Sequence, residues 1–497
     1  MKQIYGRQIF MALLVLVLSA CEDPFVGNRA FNIENLNAPY TMKKVTIAST
    51  EYLVLTNTNR LAQQNDGSLQ FYNLSAPRSP VLDADLSFKI PSNVVDFYIE
   101  EGVSEPRVFL LDRNENRLLV YGLSAGSFSP VVGPDGQPLR IALYSNPISI
   151  EGFSFDGRDY LAVAVMNVST MQFISRDDLR VLTESDLEAL VGDLGVDAAN
   201  VTDYRKDRLE NVSSFMEMRP RLKLGSTTQL QEIKNISGSE RQGRGIGKIL
   251  YLGGATADIL GISFSDTAAF GFRFSAFDNN SNLLWDLSAA QNGVTGVAGT
   301  KEEGFRGAAL DGLGNLYLSS RSDNKIYAVP PSVWALDREP DGQARNTERR
   351  NTHTVFGGVT PISGQPTTEA YLNVRKIDVD FDEDDSDADT VTGDAKFPRL
   401  SDLVVNNQTG ASAATRAWVI GLESKDRGYN QSRIYAVDLD SPQILDVEVF
   451  NAGDSPQKLL YLDGSSLVYV SFLNGDRLDI YDVSGDQLDL VGQIENQ

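Results

Sequence analysis

One strand pattern recurs seven times along this chain and limits the fold more than any other feature. Each copy sets alternating apolar residues and an aromatic directly after a polar turn. The copies are Leu69–Leu74 (LQFYNL), Leu118–Leu123 (LLVYGL), Met171–Ile174 (MQFI), Phe272–Phe277 (FRFSAF), Lys325–Val329 (KIYAV), Arg433–Asp438 (RIYAVD) and Leu478–Val483 (LDIYDV). Alternation of this kind places one apolar set on each face of a short strand, and the Asn, Asp, Gly and Ser clusters between copies are turn chemistry.

Most copies follow a second hydrophobic strand: Tyr52–Leu55, Val108–Leu111, Tyr160–Val163, Leu316–Leu318, Trp418–Ile420 and Leu467–Val470. Neighbouring copies lie roughly 50 residues apart, with two intervals of about 100, and a repeat of roughly 40–50 residues holding several strands is the signature of a β-propeller. Closing the blades into a ring buries the faces that a lone four-stranded sheet would expose. The sequence therefore predicts an all-β chain with a single β-propeller of about seven four-stranded blades. Six or eight blades also fit, because the long intervals can hide or dilute one.

The repeats resemble known propeller families. The last one, with Val468-Tyr469-Val470, Asn474-Gly475-Asp476 and Ile480-Tyr481-Asp482, is similar to the YVTN-type surface-protein propellers. The fifth, with Gly314-Asn315-Leu316-Tyr317 and Asn324-Lys325-Ile326-Tyr327, is similar to NHL-type blades. Such motifs imply a fold and not an activity.

The N-terminus carries Lys2 and Arg7, then an apolar run from Ile9 to Leu18 that is too short to span a bilayer as a mature helix. It ends at Leu18-Ser19-Ala20-Cys21, which resembles a bacterial lipoprotein signal peptide with its lipobox. The resemblance implies cleavage before Cys21, acylation of that residue, and attachment to a membrane through the lipid. Cys21 is the single cysteine, so no intramolecular disulfide can form. The expected organisation is a signal peptide at 1–20, the lipidated Cys21 and tether at 21–42, and a propeller at 43–497. The expected location is the bacterial cell envelope, at the outer membrane or cell surface rather than the inner membrane. Without residues 1–20 the chain holds 42 Lys+Arg against 67 Asp+Glu, a formal −25. A surface that acidic repels nucleic acid, so no nucleic-acid partner is expected.

Two insertions interrupt the repeats, at about 180–247 and 330–398. The first opens on a short helix over Thr183–Gly192, with Ser185 and Glu188 as a capping box. The second holds the acidic run Asp378, Asp380, Asp382, Glu383, Asp384, Asp385, Asp387 and Asp389. Alternating hard oxygen ligands suit Ca²⁺, so Asp378, Asp380, Asp382, Asp384, Asp387 and Asp389 are the candidate metal ligands. The EF-hand template fails at Glu383, where Gly is needed, and at Asp389, where Glu is usual; a solvated acidic loop is the competing reading.

Enzymatic motifs are few. Gly122-Leu123-Ser124-Ala125-Gly126 matches the nucleophile-elbow string, but Pro130, Gly133 and Pro134 forbid the helix that must follow. Gly243, Gly245 and Gly247-Lys248 resemble a phosphate loop, yet a strand (Ile249–Leu252) follows instead of a helix. His353 is the only histidine, which removes multi-histidine metal centres. Asp96, Asp112, Asp311 and Asp402 are candidates for a channel site drawn from several blades, or equally for turn-forming roles.

These features together read as a membrane-anchored, non-enzymatic binding or scaffold module, an adhesin or envelope-complex component that meets a protein or glycan at its rim. No catalytic residues are assigned, and Ca²⁺ is the one cofactor considered. The opposing reading is a calcium-dependent hydrolase or lactonase with its site in the central channel. A third is a periplasmic assembly factor.

Overall fold

The computed structural model describes residues 33–58, 66–182 apart from 145, 156 and 166–169, Asp186, 215–217, 246–253, 258–263, 268–273, 282–286, 305–321, 324–329, 375–379, 399–423 and 431–495. These residues form seven antiparallel sheets built on four consecutive strands each. The first strands of successive sheets pack side by side in one ring, and the seventh returns to the first. The fold is a seven-bladed β-propeller, and blades 1 to 7 below follow chain order.

The recurrent aromatic pattern marks the third strand of six blades, and the hydrophobic strand before it is the second. In blade 4 the third strand is Ala268–Arg273, and Phe274–Phe277 of the fourth copy lie outside the described residues. The repeated aromatics are core. Phe71, Phe173, Tyr327, Tyr435 and Tyr481 are almost fully buried. Apolar clusters lie between neighbouring blades, such as the one joining Phe71 of blade 1 to Phe97 and Leu110 of blade 2.

Blade 1 is made wholly of residues near the N-terminus and blade 7 wholly of residues near the C-terminus, so no sheet is shared between the two ends. The ring closes by packing instead. Leu36, Leu53, Leu55 and Tyr72 meet Leu467, Tyr469, Leu478 and Ile480 across the seam. Polar bonds span it too: Ala38 N donates to Asp476 Oδ1 at 2.9 Å, Arg78 pairs with Asp482, and Tyr469 Oη donates to the Pro77 carbonyl.

The first strand is Pro39–Ile47, so strand structure begins inside the stretch read as tether. In blade 3 the outer edge comes in two pieces, Arg180–Val181 and Phe215–Glu217, which pair with different parts of the third strand. In blade 5 the outer strand is Arg375–Asp378, within the second predicted insertion. Both long intervals therefore open at outer strands, away from the ring of first strands. The predicted helix Thr183–Gly192 lies outside the described residues, Asp186 apart.

Candidate active site in the central channel

The first strand of each blade is an edge strand: one side pairs with its own sheet and the other faces the axis. Its axis-facing N–H and C=O groups need partners, because an unpaired backbone group in protein surroundings is costly. These innermost strands are Pro39–Ile47, Val94–Ile99, Pro147–Phe155, Ile246–Gly253, Phe305–Leu310, Arg399–Val405 and Pro456–Leu462. Every one carries a register shift near its start. Such a bulge bends the strand and re-aims the side chain beside it. At or shortly after each shift stands an ionisable residue: Lys43, Asp96, Glu151, Lys248, Arg306, Asp402 and Lys458, one per blade.

Most of these side chains fasten one inner strand to the next. Asp96 Oδ2 accepts from Ile150 N at 2.9 Å, and Asp402 Oδ2 accepts from Leu459 N at 2.9 Å. Lys43 Nζ donates to the Phe97 carbonyl at 2.6 Å and pairs with Asp96 at 3.0 Å. Lys248 Nζ donates to the Ala308 carbonyl at 2.9 Å. Asp402 is contacted by two ammonium groups, Lys458 at 3.3 Å and Lys248 at 3.8 Å. Burial pushes the Asp402 carboxyl up, but the two lysines and the Leu459 N–H outweigh it, and the net shift is downward. Burial likewise opposes charge on both lysines. The nearer Lys458 is held above its ordinary value by Asp402, while for Lys248 burial wins and its pKa falls.

Glu151 differs from the rest. Among the described residues its carboxylate makes no hydrogen bond and no close ion pair. Burial raises its pKa, Asp96 adds to the rise, and Lys43 and Lys248 oppose it without reversing it. A half-buried carboxylate with a raised pKa and no structural partner has the profile of a proton-transfer group.

Glu151 opens into a cleft of about 720 Å³ between blades 1, 2 and 3, shared with Lys43 and Tyr98 and rimmed by Arg107 and Arg176. Tyr98 stands next to the backbone of Gly152, where an added Cβ would lie 2.2 Å from the ring. On its other side Arg176 donates to Tyr98 Oη at 3.2 Å, with its guanidinium 5.3 Å from the ring centre. Arg176 is fixed in turn by Asp159 at 2.7 Å and by Glu100, which Arg107 grips with two short bonds. Burial raises the Tyr98 pKa although Arg176 opposes the shift, so the phenol keeps its proton and can donate it in a hydrogen bond.

The four aspartates singled out in the sequence divide evenly. Asp96 and Asp402 line the channel. Asp112 instead accepts from Arg117 Nε at 2.9 Å, and Asp311 accepts from Leu313 N and Asn315 N in its own turn and from Ala414 N of blade 6 at 2.8 Å. Of the calcium candidates, Asp378 ends the outer strand of blade 5, exposed and paired with Lys325; Asp380, Asp382, Asp384, Asp387 and Asp389 lie outside the described residues, as do Cys21 and His353. Ser124 sits at a tight hairpin with Ala125 and Gly126 at φ 51° and 86°, not on a strand-to-helix elbow. Lys248 sits within a strand, as the rejection of a phosphate loop requires. The channel itself does not suit a calcium ion, because ammonium groups already occupy the carboxylates of Asp96 and Asp402. Among the described residues no group of three or more acidic, histidine or cysteine side chains converges.

No family model matches the chain, and no curated protein matches it. Solved structures do. The periplasmic gluconolactonase of Pseudomonas aeruginosa is 14% identical over 92% of this chain and 96% of its own, with a TM-score of 0.45. Virginiamycin B lyase from Staphylococcus aureus is 9% identical over 89% and 93%, TM-score 0.41. The hydrazine synthase of Kuenenia stuttgartiensis is 9% identical over 92% and 99%, TM-score 0.45. Identities this low speak for the fold alone.

These neighbours are mostly enzymes, contrary to the expectation of a non-enzymatic adhesin or envelope scaffold. The channel also holds a carboxylate, Glu151, that bonds to no other described residue. The scaffold reading is therefore corrected.

Proposed function

We propose that the protein is an enzyme that opens a small, oxygen-rich ester or lactone in the cleft between blades 1, 2 and 3, by acid–base chemistry centred on Glu151. The observation that carries this reading is the Glu151 carboxylate itself, half-buried at the cleft and unbonded among the described residues, while the other channel carboxylates secure the ring. The Glu151 carboxylate removes a proton from water as the water oxygen bonds to the carbonyl carbon. Lys43 and Tyr98, which line the same cleft, donate hydrogen bonds to the carbonyl oxygen as it gains negative charge. When the tetrahedral species collapses and the C–O bond to the leaving alkoxide breaks, the proton on Glu151 passes to that alkoxide. The products are a hydroxy acid from a lactone, or an acid and an alcohol from an ester, and an unchanged enzyme.

The N-terminal segment supports a second part of the reading: a lipoprotein, acylated at Cys21, that holds this propeller at the bacterial envelope outside the cytoplasm. The support is the charged start, the short apolar run and the lone cysteine after Leu-Ser-Ala.

The test is pH-stat assay of the full chain against a panel of sugar-acid lactones and simple esters. Turnover is expected for at least one, falling by about 10²–10⁴-fold in Glu151→Gln. No turnover on any panel member, or full activity in Glu151→Gln, overturns the proposal.

A further inference from the structure

The channel has a second mouth, at the end where the inner strands begin. There a separate pocket of about 440 Å³ is lined by Tyr40, Asn93, Arg113, Asn114, Asn116 and Asn146. Its composition is unlike the rest of this acidic chain: among the described residues the lining holds four amides, a phenol, a guanidinium, the Thr58 hydroxyl and one apolar side chain, Val95, with no carboxylate and no ammonium.

The amides are held in place and still have bonding capacity. Asn93 Nδ2 donates to Asn114 Oδ1 at 2.7 Å, Asn116 Oδ1 accepts from Asn146 N at 2.8 Å, and the Arg113 guanidinium donates to Asn146 Oδ1. An asparagine side chain offers two donors and two lone-pair sites. Asn93 Oδ1 and the amide N–H groups of Asn116 therefore have no partner among the described residues. Donor and acceptor side by side on one planar amide match vicinal hydroxyls, each of which also donates and accepts.

We infer that this pocket is a binding site for a neutral saccharide of one or two rings. The size lies within the range of small-molecule sites, about 300–1,000 Å³. The wall is almost entirely polar, so its occupant must be polar on every side. A peptide in extended form would find no apolar pocket for its side chains. Among the described residues the lining holds no carboxylate or ammonium, and its one charged group, Arg113, already donates to Asn146 Oδ1, so hydroxyl groups rather than an ion match the amides that remain.

Isothermal titration of the full chain tests the site, using glucose, maltose, N-acetylglucosamine and chitobiose, with gluconate and trialanine as the anionic and peptide arms. Saturable binding of at least one neutral sugar is expected, weakened at least tenfold in Asn93→Ala/Asn114→Ala and in Asn114→Ala alone, with melting temperatures recorded to show that both variants fold. Glu151→Gln is expected to bind the sugar as the parent does, which separates this site from the proposed reaction at the other mouth. No binding by any neutral sugar, equal binding in the two variants, or preference for gluconate or trialanine overturns the inference.

Discussion

Gly152 and Glu151 are adjacent and set opposite constraints. Gly152 leaves room for the Tyr98 ring, and any Cβ there collides with it. Gly152→Ala is expected to cost about 1–3 kcal/mol, the usual range for overpacking, and to move Tyr98 out of the cleft. In a Tyr98→Ala background the same change is expected to cost close to nothing, and a denaturant double-mutant cycle reads the difference. Glu151 acts through its proton. Its folded-state pKa is raised, so the folded protein binds that proton more tightly than the unfolded chain does. Stability is then lost as pH rises from the unfolded value of about 4.5 through the folded one. Glu151→Gln is expected to raise the melting temperature at pH 7 and above, with the gain fading toward pH 4, while activity is lost. A scan of melting temperature against pH checks both the sign and the window. A merely structural carboxylate would give the reverse, a variant less stable at neutral pH.

At the scale of the element, the inner strand explains why charged residues sit among apolar ones. Each inner strand leaves one edge without a sheet partner, and side chains such as Asp96 and Asp402 bond to the N–H of the next inner strand. Asp402 has the most to hold, with Lys248 and Lys458 both upon it. Asp402→Asn strands two ammonium groups in the channel and is expected to cost about 3 kcal/mol. That is the low end for breaking a buried pair, because the lysines keep 25% and 28% of their side-chain surface open. The folded-state pKa of Asp402 is depressed, so its contribution is present above the unfolded value of about 3.8 and is lost as pH falls below it. Urea unfolding of the variant should therefore show a deficit that is flat from about pH 8 to about pH 4 and shrinks only in stronger acid.

For the whole molecule, closure depends on a seam that no shared sheet secures. Leu36 lies ahead of the first strand, yet it is 1% exposed and packs into the cluster between blades 1 and 7. Leu36→Ala is expected to cost about 2–5 kcal/mol, as in a core strand and far above the cost in a free tether. Denaturant titration monitored by tryptophan fluorescence measures it, and a change under about 0.5 kcal/mol, typical of surface positions, would mean the segment does not help to close the ring.

The blade count and the third strands were legible in the sequence, because burying two faces of a short strand forces alternation with bulky aromatics such as Tyr327, Tyr435 and Tyr481. The channel was only partly legible. Asp96 and Asp402 were named beside Asp112 and Asp311, and nothing local separates an aspartate that lines the channel from one that sits in a turn. A signal did exist: a single charge inside an otherwise apolar first strand, as in VVDFYI (94–99), LSDLVV (400–405) or GKILYL (247–252). Reading it requires the blades in register: Glu151 lay outside every recognisable motif, and Lys248 drew notice only within a phosphate-loop string that was rejected. The sequence by itself determined an acidic, repetitive, all-β chain, since strand period and turn chemistry are local properties. Only the tertiary structure decided which charges face one axis and which carboxylate is left unbonded there, because that depends on bulges and on bonds between blades some 50 to 60 residues apart.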